Sequence, residues 1–183
     1  MAKTNQKPQI YGVYMKSMLT KRVALSINQV GKNIKRNLEN MISKGTEGRC
    51  IAEGFIKPNS VRVLTYSSGD IAGDQITFET VFECMICYPI EGMLIECTIK
   101  TITKAGIHAE VTDDDGIVPL TIFVARDHQY NDKVFSLAKE NTKITVRVIG
   151  IRFELNDPFI CVIAKLMENQ TIEQKRPIMI QQD

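Results

Sequence analysis

Apolar and polar positions alternate along most of this chain, and a helical period interrupts them once. From Ile10 to Ile27 the residues Tyr11, Val13 and Met15, then Val23, Leu25 and Ile27, share one phase of a two-residue repeat, which predicts a strand. The alternation loosens between Lys16 and Arg22, so a turn or bulge is expected to divide the run. Ile34, Leu38, Met41 and Ile42 then recur at i, i+4, i+7 and i+8, an apolar stripe of helical period, with Lys32, Lys35 and Arg36 on the other face. Asn28 stands where it can cap this helix, and Lys44-Gly45 where a helix stops. Period two returns in Arg49–Phe55, Ser60–Tyr66 and Gln75–Tyr88, punctuated by Pro58-Asn59 and by Ser67-Ser68-Gly69-Asp70.

After Pro89, Glu91-Gly92 opens a second series. Strands are predicted over about 92–103, 106–112, 117–125, 143–152 and 159–166. The first two form a hairpin broken at Lys104-Ala105-Gly106; Asp113-Asp114-Asp115-Gly116 and Asn156-Asp157-Pro158 are turns. Residues 126–142 form a longer connection, with a helical turn expected around Lys133–Lys139. Five short strands with one long connection before the fourth fit a small closed Greek-key barrel of the OB type. The expected fold is therefore α+β and mostly β: a strand-helix-strands domain over 1–89, then a five-stranded barrel with a C-terminal tail over 90–183.

Composition adds boundaries. A chain of 183 residues buries about 70% of its extended surface on folding, so neither a metal nor a disulfide staple is required. The five cysteines are an odd number, and four of them lie in apolar strand-like runs. The opening MAKTNQKPQ has no apolar core of a secretory signal, and no apolar stretch approaches membrane-spanning length. The expectation is an intracellular, reducing location, whether nucleus, cytoplasm or a viral compartment (viral factory or virion), with no membrane partner. The net charge of +2 hides an asymmetry: residues 1–44 hold nine Lys and Arg against the single acid Glu39. Such a split suits a basic face meeting an acidic partner or a nucleic-acid backbone, and equally a solvated helix face with a polar tail.

Catalytic chemistry finds little support. Cys84 and Cys87 have CxxC spacing, yet a strand would point their thiols to opposite faces, and no second pair follows. There is no phosphate-binding glycine loop, no HExxH, and no nucleophile at a family-like spacing from His108 or His128. Asp113–Asp115 reads as a turn rather than a metal cluster. No catalytic residue, metal or cofactor is assigned.

Binding fares better, because OB-type barrels hold single strands on their second and third strands, with stacking side chains and nearby cations. His108 and Phe123, with Lys104 at the turn and Arg126 just past the third strand, could form a small RNA platform. Each stacking contact contributes about 1–3 kcal/mol, so one or two give weak binding. The barrel's near-neutral charge also leaves room for His108 to be an ordinary polar surface residue.

Taken in order, four stretches carry a resemblance that runs from about Tyr11 to Glu168. Ile34–Leu38 with Glu47-Gly48-Arg49-Cys50-Ile51, then Asn59–Gly69, then Phe78–Pro89 running into Ile90-Glu91-Gly92, and finally Arg147–Arg152 with Asn156-Asp157-Pro158-Phe159, resemble the stalk subunit of multisubunit DNA-directed RNA polymerases, the seventh-subunit type. The resemblance implies a non-catalytic, two-domain rod. Its tip domain docks on the large polymerase subunits, its S1 barrel lies beside the nascent single-stranded RNA, and a small helical partner of the fourth-subunit type pairs with it. Carried over, Gly48, Cys50, Gly54, Ile56 and Pro58 would face the polymerase core. His108 falls where S1 domains often place a stacking Phe, and Arg152 on a basic position of the closing hairpin. His108 in place of Phe, the small Ala109, the short 126–142 connection and the basic N-terminus depart from that pattern and would suit a divergent viral polymerase. A free S1-type RNA-binding factor of translation or RNA decay is the alternative.

Overall fold

In the computed structural model, residues 12–126, 135 and 138–167 are described; the N-terminal tail and most of the helical turn expected at Lys133–Lys139 lie outside the described residues. Two long strands form the spine of the first half. β1 (Tyr14–Ser26) and β6 (Gln75–Cys87) pair antiparallel without a break, from Tyr14 opposite Cys87 to Ser26 opposite Gln75. The turn or bulge expected between Lys16 and Arg22 is absent. β1 pairs with β6 alone, so this stretch stands at a sheet edge, where Met18 (70% exposed), Lys21 and Arg22 face water and no buried face enforces the alternation.

The other edge of β6 is covered in succession by three short strands, β3 (Gly54–Ile56), β4 (Arg62–Tyr66) and β5 (Asp70–Ala72), while β2 (Cys50–Ile51) pairs with β3. The single strand expected over Arg49–Phe55 is thus a tight hairpin, and Asp70 begins a strand instead of ending a turn. One helix, α1 (Ile34–Thr46), lays Leu38, Ile42 and Thr46 onto this sheet. Its N-cap is Asn33, not Asn28, because Ile27–Gln29 forms a 3-10 turn of its own; the Asn37 amide returns to the Gln29 carbonyl at 2.8 Å. Met41, expected in the apolar stripe, is 44% exposed at its margin.

Both acids of the helix region are turned inward. Glu39 accepts the Val63 N–H and Glu47 the Val61 N–H, each at 2.9 Å, which satisfies the open edge of β4.

The second half is the expected barrel. β7 (Leu94–Ile102), β8 (Gly106–Val111), β9 (Leu120–Ala125), β10 (Lys143–Arg152) and β11 (Ile160–Leu166) close in the order β10-β11-β9-β8-β7, and only the β9–β11 pair is parallel. The arrangement is consistent with an OB-type barrel. Alternate side chains, among them Ile99, Ile107, Ile122, Val146 and Val162, fill the interior. That core continues across Pro89: Cys50, Phe55 and Cys87 pack with the barrel residues, whereas Leu25, Leu38, Ile42, Ile56 and Phe82 form a separate core under α1.

Polar bonds pin the two halves together. The Cys50 N–H donates to the Asp157 carbonyl and the Asn156 N–H to the Cys50 carbonyl, both at 2.8 Å. The Tyr14 hydroxyl donates to Asp113 at 3.1 Å, and the Lys57 ammonium lies 2.8 Å from Asp115 and 3.7 Å from Asp113. Asp113 also accepts the N–H groups of Asp115 and Ile117 at 3.0 and 2.9 Å, so the acidic turn is a structural knot. Burial pushes the Asp113 carboxyl up, but the Ile117 N–H, the Tyr14 hydroxyl, the Asp115 N–H and Lys57 together hold it below its ordinary 3.8. Tyr14 is pushed up by burial and by Asp113.

A carboxyl depressed in the folded state stabilises fully above its unfolded pKa and loses that contribution as pH falls through the folded value. Asp113→Ala is therefore expected to cost about 1–3 kcal/mol at neutral pH and to flatten the stability loss of the native chain below about pH 4. Urea titrations of both chains across that range check it. Parallel pH curves would show that Asp113 is not the titrating tie.

Candidate nucleic-acid interface on the barrel

His108 in β8 and Phe123 in β9 stand directly opposite each other on the outer wall, their ring centroids 4.8 Å apart and their planes inclined by 46°. Cross-strand neighbours of this kind hold each other's orientation. The row continues to both sides, with Thr101 of β7 opposite His108, Ile163 of β11 opposite Phe123, and Gly150 of β10 opposite Ile163. His108 is exposed, Phe123 half-buried, and Ile163 leaves 47% of its surface in water. The strip is an aromatic pair extended by an aliphatic side chain, with the exposed His108 ring available to stack on a base.

Gly106 makes room for it. A Cβ there would meet the Val124 carbonyl and lie 2.8 Å from Phe123 Cζ. The glycine is thus required by the close approach of β9 and its ring, beyond its place at a hairpin break. The turn before it is held by Thr103, whose hydroxyl donates to the Gly106 carbonyl at 3.0 Å.

The cations named from sequence flank the row at different distances. Lys104 is exposed in the β7–β8 turn, and the Arg126 N–H donates to the Ala105 carbonyl at 3.0 Å, so both stand at one end of the barrel. The Arg126 guanidinium lies 4.6 Å from the centre of the Phe135 ring, a cation–π contact that orients it. Arg152 lies on the other side of the row, opposite Cys161, which is itself opposite Thr121; its guanidinium is 3.7 Å from Glu154 at the exposed surface. His108 and Phe123 are thus brought together, Lys104 and Arg126 are near one end, and Arg152 is two residues along its strand from the row. Sequence reasoning missed Ile163 and the second role of Gly106. The apolar residue on the outward phase of the last strand was the available signal for the first.

The five tip-loop residues separate. Gly48, in the left-handed region at φ 70, is exposed, and the half-buried Pro58 ring comes within 3.7 Å of where its Cβ would be. Cys50, Gly54 and Ile56 are buried. Gly54 has φ 130, and a Cβ on it would lie 2.5 Å from the Cys87 carbonyl, so only glycine fits that bend.

Cys84 belongs to the core under α1 and Cys87 to the barrel core, the opposed placement expected of the CxxC pair. Burial pushes their thiols up to about 11 and about 12, which keeps both protonated and unreactive at neutral pH. Among the described residues no three His, Cys, Asp or Glu side chains gather where a metal could be held. A cleft of about 410 Å³ opens between the tip sheet and the acidic turn, but its Lys16–Glu83 and Lys57–Asp115 pairs, at 2.6 and 2.8 Å, satisfy one another. No helix among the described residues is long and apolar enough to cross a membrane.

Similarity to known proteins extends along the chain. A protein of Acanthamoeba polyphaga mimivirus assigned as a DNA-directed RNA polymerase subunit is 25% identical over 177 residues, covering 87% of this chain and 84% of its own length. Subunit 7 of RNA polymerase II from Arabidopsis thaliana is 24% identical over 161 residues, covering 79% of this chain and 88% of its own. The likeness is to the seventh-subunit type of DNA-directed RNA polymerase. The soybean (Glycine max) subunit 7 is 20% identical over 158 residues, with 78% of this chain and 86% of its own covered. No family model matches the chain. Matches of such length take in part of the tip sheet and part of the barrel alike, so the likeness to DNA-directed RNA polymerase subunits extends over both halves.

Proposed function

We propose that this chain is a non-catalytic stalk subunit of a DNA-directed RNA polymerase, docked on the large subunits by its N-terminal half, with its barrel near the exiting transcript in support of initiation and elongation. The observation that carries the reading is the likeness to DNA-directed RNA polymerase subunits across 78–87% of this chain, two of them subunit 7, together with a tip sheet pinned to a closed barrel. A subunit of such an assembly needs contact surfaces rather than an active site. The thirteen-residue edge of β1 pairs on one side only and exposes Met15 and Met18, a surface suited to a small stalk partner. The exposed Gly48 and the half-buried Pro58 form a corner suited to the polymerase core. Transcript contact falls to His108, Phe123 and Ile163, with Lys104, Arg126 and Arg152 as flanking cations.

The test is a tagged purification of the chain from its native or infected cells, with co-purifying proteins identified by mass spectrometry. The two largest polymerase subunits and a small helical partner are expected. Ribosomal or RNA-decay proteins without polymerase would overturn the reading in favour of a free S1-type RNA-binding factor.

His108→Ala is expected to weaken binding of a single-stranded RNA oligonucleotide by about 1 kcal/mol, roughly fivefold, through the lost stacking contact, and to leave assembly intact. An unchanged affinity would return the His108–Phe123 pair to scaffolding.

A further inference from the structure

The charge asymmetry of the first quarter of the chain becomes a directed surface once Glu39 and Glu47 are located. Both carboxylates point inward to the N–H groups of Val63 and Val61. What remains exposed around α1 is basic: Lys32 in the turn before the helix, Arg36 in its first turn and Lys44 in its last on the outer side, with Lys35 exposed at the flank, one turn before Leu38 and Glu39. Arg36, Asn40 and Lys44 follow at i, i+4 and i+8 along the exposed side. Lys21 of β1 joins them at the C-terminal end, its ammonium 3.8 Å from where a Cβ on Gly45 would stand. Among the described residues none of these five cations has an ion pair. Five like charges held together without counter-charge repel one another and favour a polyanion.

The composition of the face selects the kind of polyanion. A protein docking surface needs buried apolar or aromatic anchors at its centre, and here the helix offers only Met41 at its margin. A nucleic-acid backbone needs cations and amide donors at intervals of a few ångströms and no anchor at all. Arg36 and Lys44 are about 12 Å apart along the helix axis, three to four nucleotide steps at about 3.4 Å each. Asn33 and Asn40 add amide groups on the exposed side.

We infer that the outer face of α1, with Lys21 and the flanking Lys35, is a second nucleic-acid site that binds the phosphodiester backbone without regard to sequence. It is distinct from the barrel strip, which offers stacking rings, and it does not depend on the polymerase reading. Because backbone contacts do not require unpaired bases, this face takes a duplex, whereas the barrel strip does not.

The experiment uses the full chain and two probes of equal length, a duplex DNA and a single-stranded RNA, titrated between low and moderate salt. For the native chain, duplex binding is expected with a steep salt dependence. In the triple variant Lys35→Gln, Arg36→Gln, Lys44→Gln, the slope of log K against log salt should fall by about 2.7, as three lost phosphate contacts require. All three side chains are exposed, so an unchanged melting temperature is expected and makes the comparison valid. His108→Ala should leave duplex binding and its slope as they are. No duplex binding at low salt, or a slope that the triple variant leaves unaltered, overturns the inference. So does an acidic protein whose capture the triple variant abolishes while duplex binding persists, since the face would then serve protein docking.

Discussion

Replacing Phe55 by alanine is expected to destabilise the chain by about 3–5 kcal/mol and to divide its unfolding into two transitions. The ring is 1% exposed and belongs, with Cys50 and Cys87, to the core that fills the barrel, although its strand is hydrogen-bonded into the tip sheet opposite Cys87. It is therefore the side chain through which burial in one half stabilises the other. Removing it leaves a cavity at the junction, where polar ties such as Tyr14–Asp113 are too few to restore the lost apolar contact. A loss of that size is a fifth or more of the stability of an ordinary domain of about 5–15 kcal/mol. Calorimetry and urea unfolding followed by two probes check the prediction. A single transition shifted by less than about 0.5 kcal/mol would mean that the halves are coupled elsewhere. Phe82→Ala, in the core under α1, should cost a similar amount without dividing the transition.

The barrel was legible because each strand buries one face. The expected 143–152 coincides with β10, and the other four strands agree with expectation to within three residues. Where nothing is buried, the pattern failed. β5 is exposed at all three positions, so no alternation marks it; it forms because Gly73, at φ 64, closes a tight turn onto β6. The loosened stretch of β1 suggested a break for the same reason, since an edge strand in water carries no signal of its regularity. Asn28 has the chemistry of a cap, but Gly31–Asn33 supply the turn that sets where the helix begins.

The site was legible as residue types rather than as geometry. His108 and Phe123 were placed near each other, yet their direct opposition depends on register across the Asp113–Pro119 loop, which periodicity does not fix. Ile163 enters through the parallel β9–β11 pair, a long-range pairing with no local mark. The basic face of α1 was visible as a charge count, but the inward turn of Glu39 and Glu47 that isolates it was not. Motif likeness picked five tip-loop residues without distinguishing those that support the loop from those that stand on its surface.

That distinction sets the second large effect. Ile56→Asp is expected to prevent folding outright, not merely to weaken docking. Ile56 is 0% exposed and lies opposite Ile86 in the core under α1. Its N–H donates to the Arg49 carbonyl at 3.1 Å and its carbonyl accepts the Gly48 N–H at 2.9 Å, so the backbone cannot swing the new carboxylate into water. Burying an unpaired charge there costs more than about 4 kcal/mol, and the chain should be recovered only in insoluble form. Pro58→Asp changes the half-buried corner beside Gly48 instead; it should keep the fold within about 1 kcal/mol and still reduce incorporation into polymerase several-fold. A soluble, folded Ile56→Asp chain would contradict the packing of β3 on β6. A folded Pro58→Asp chain that enters polymerase normally would move the docking surface off this loop and onto another exposed part of the tip sheet, beginning with the edge of β1.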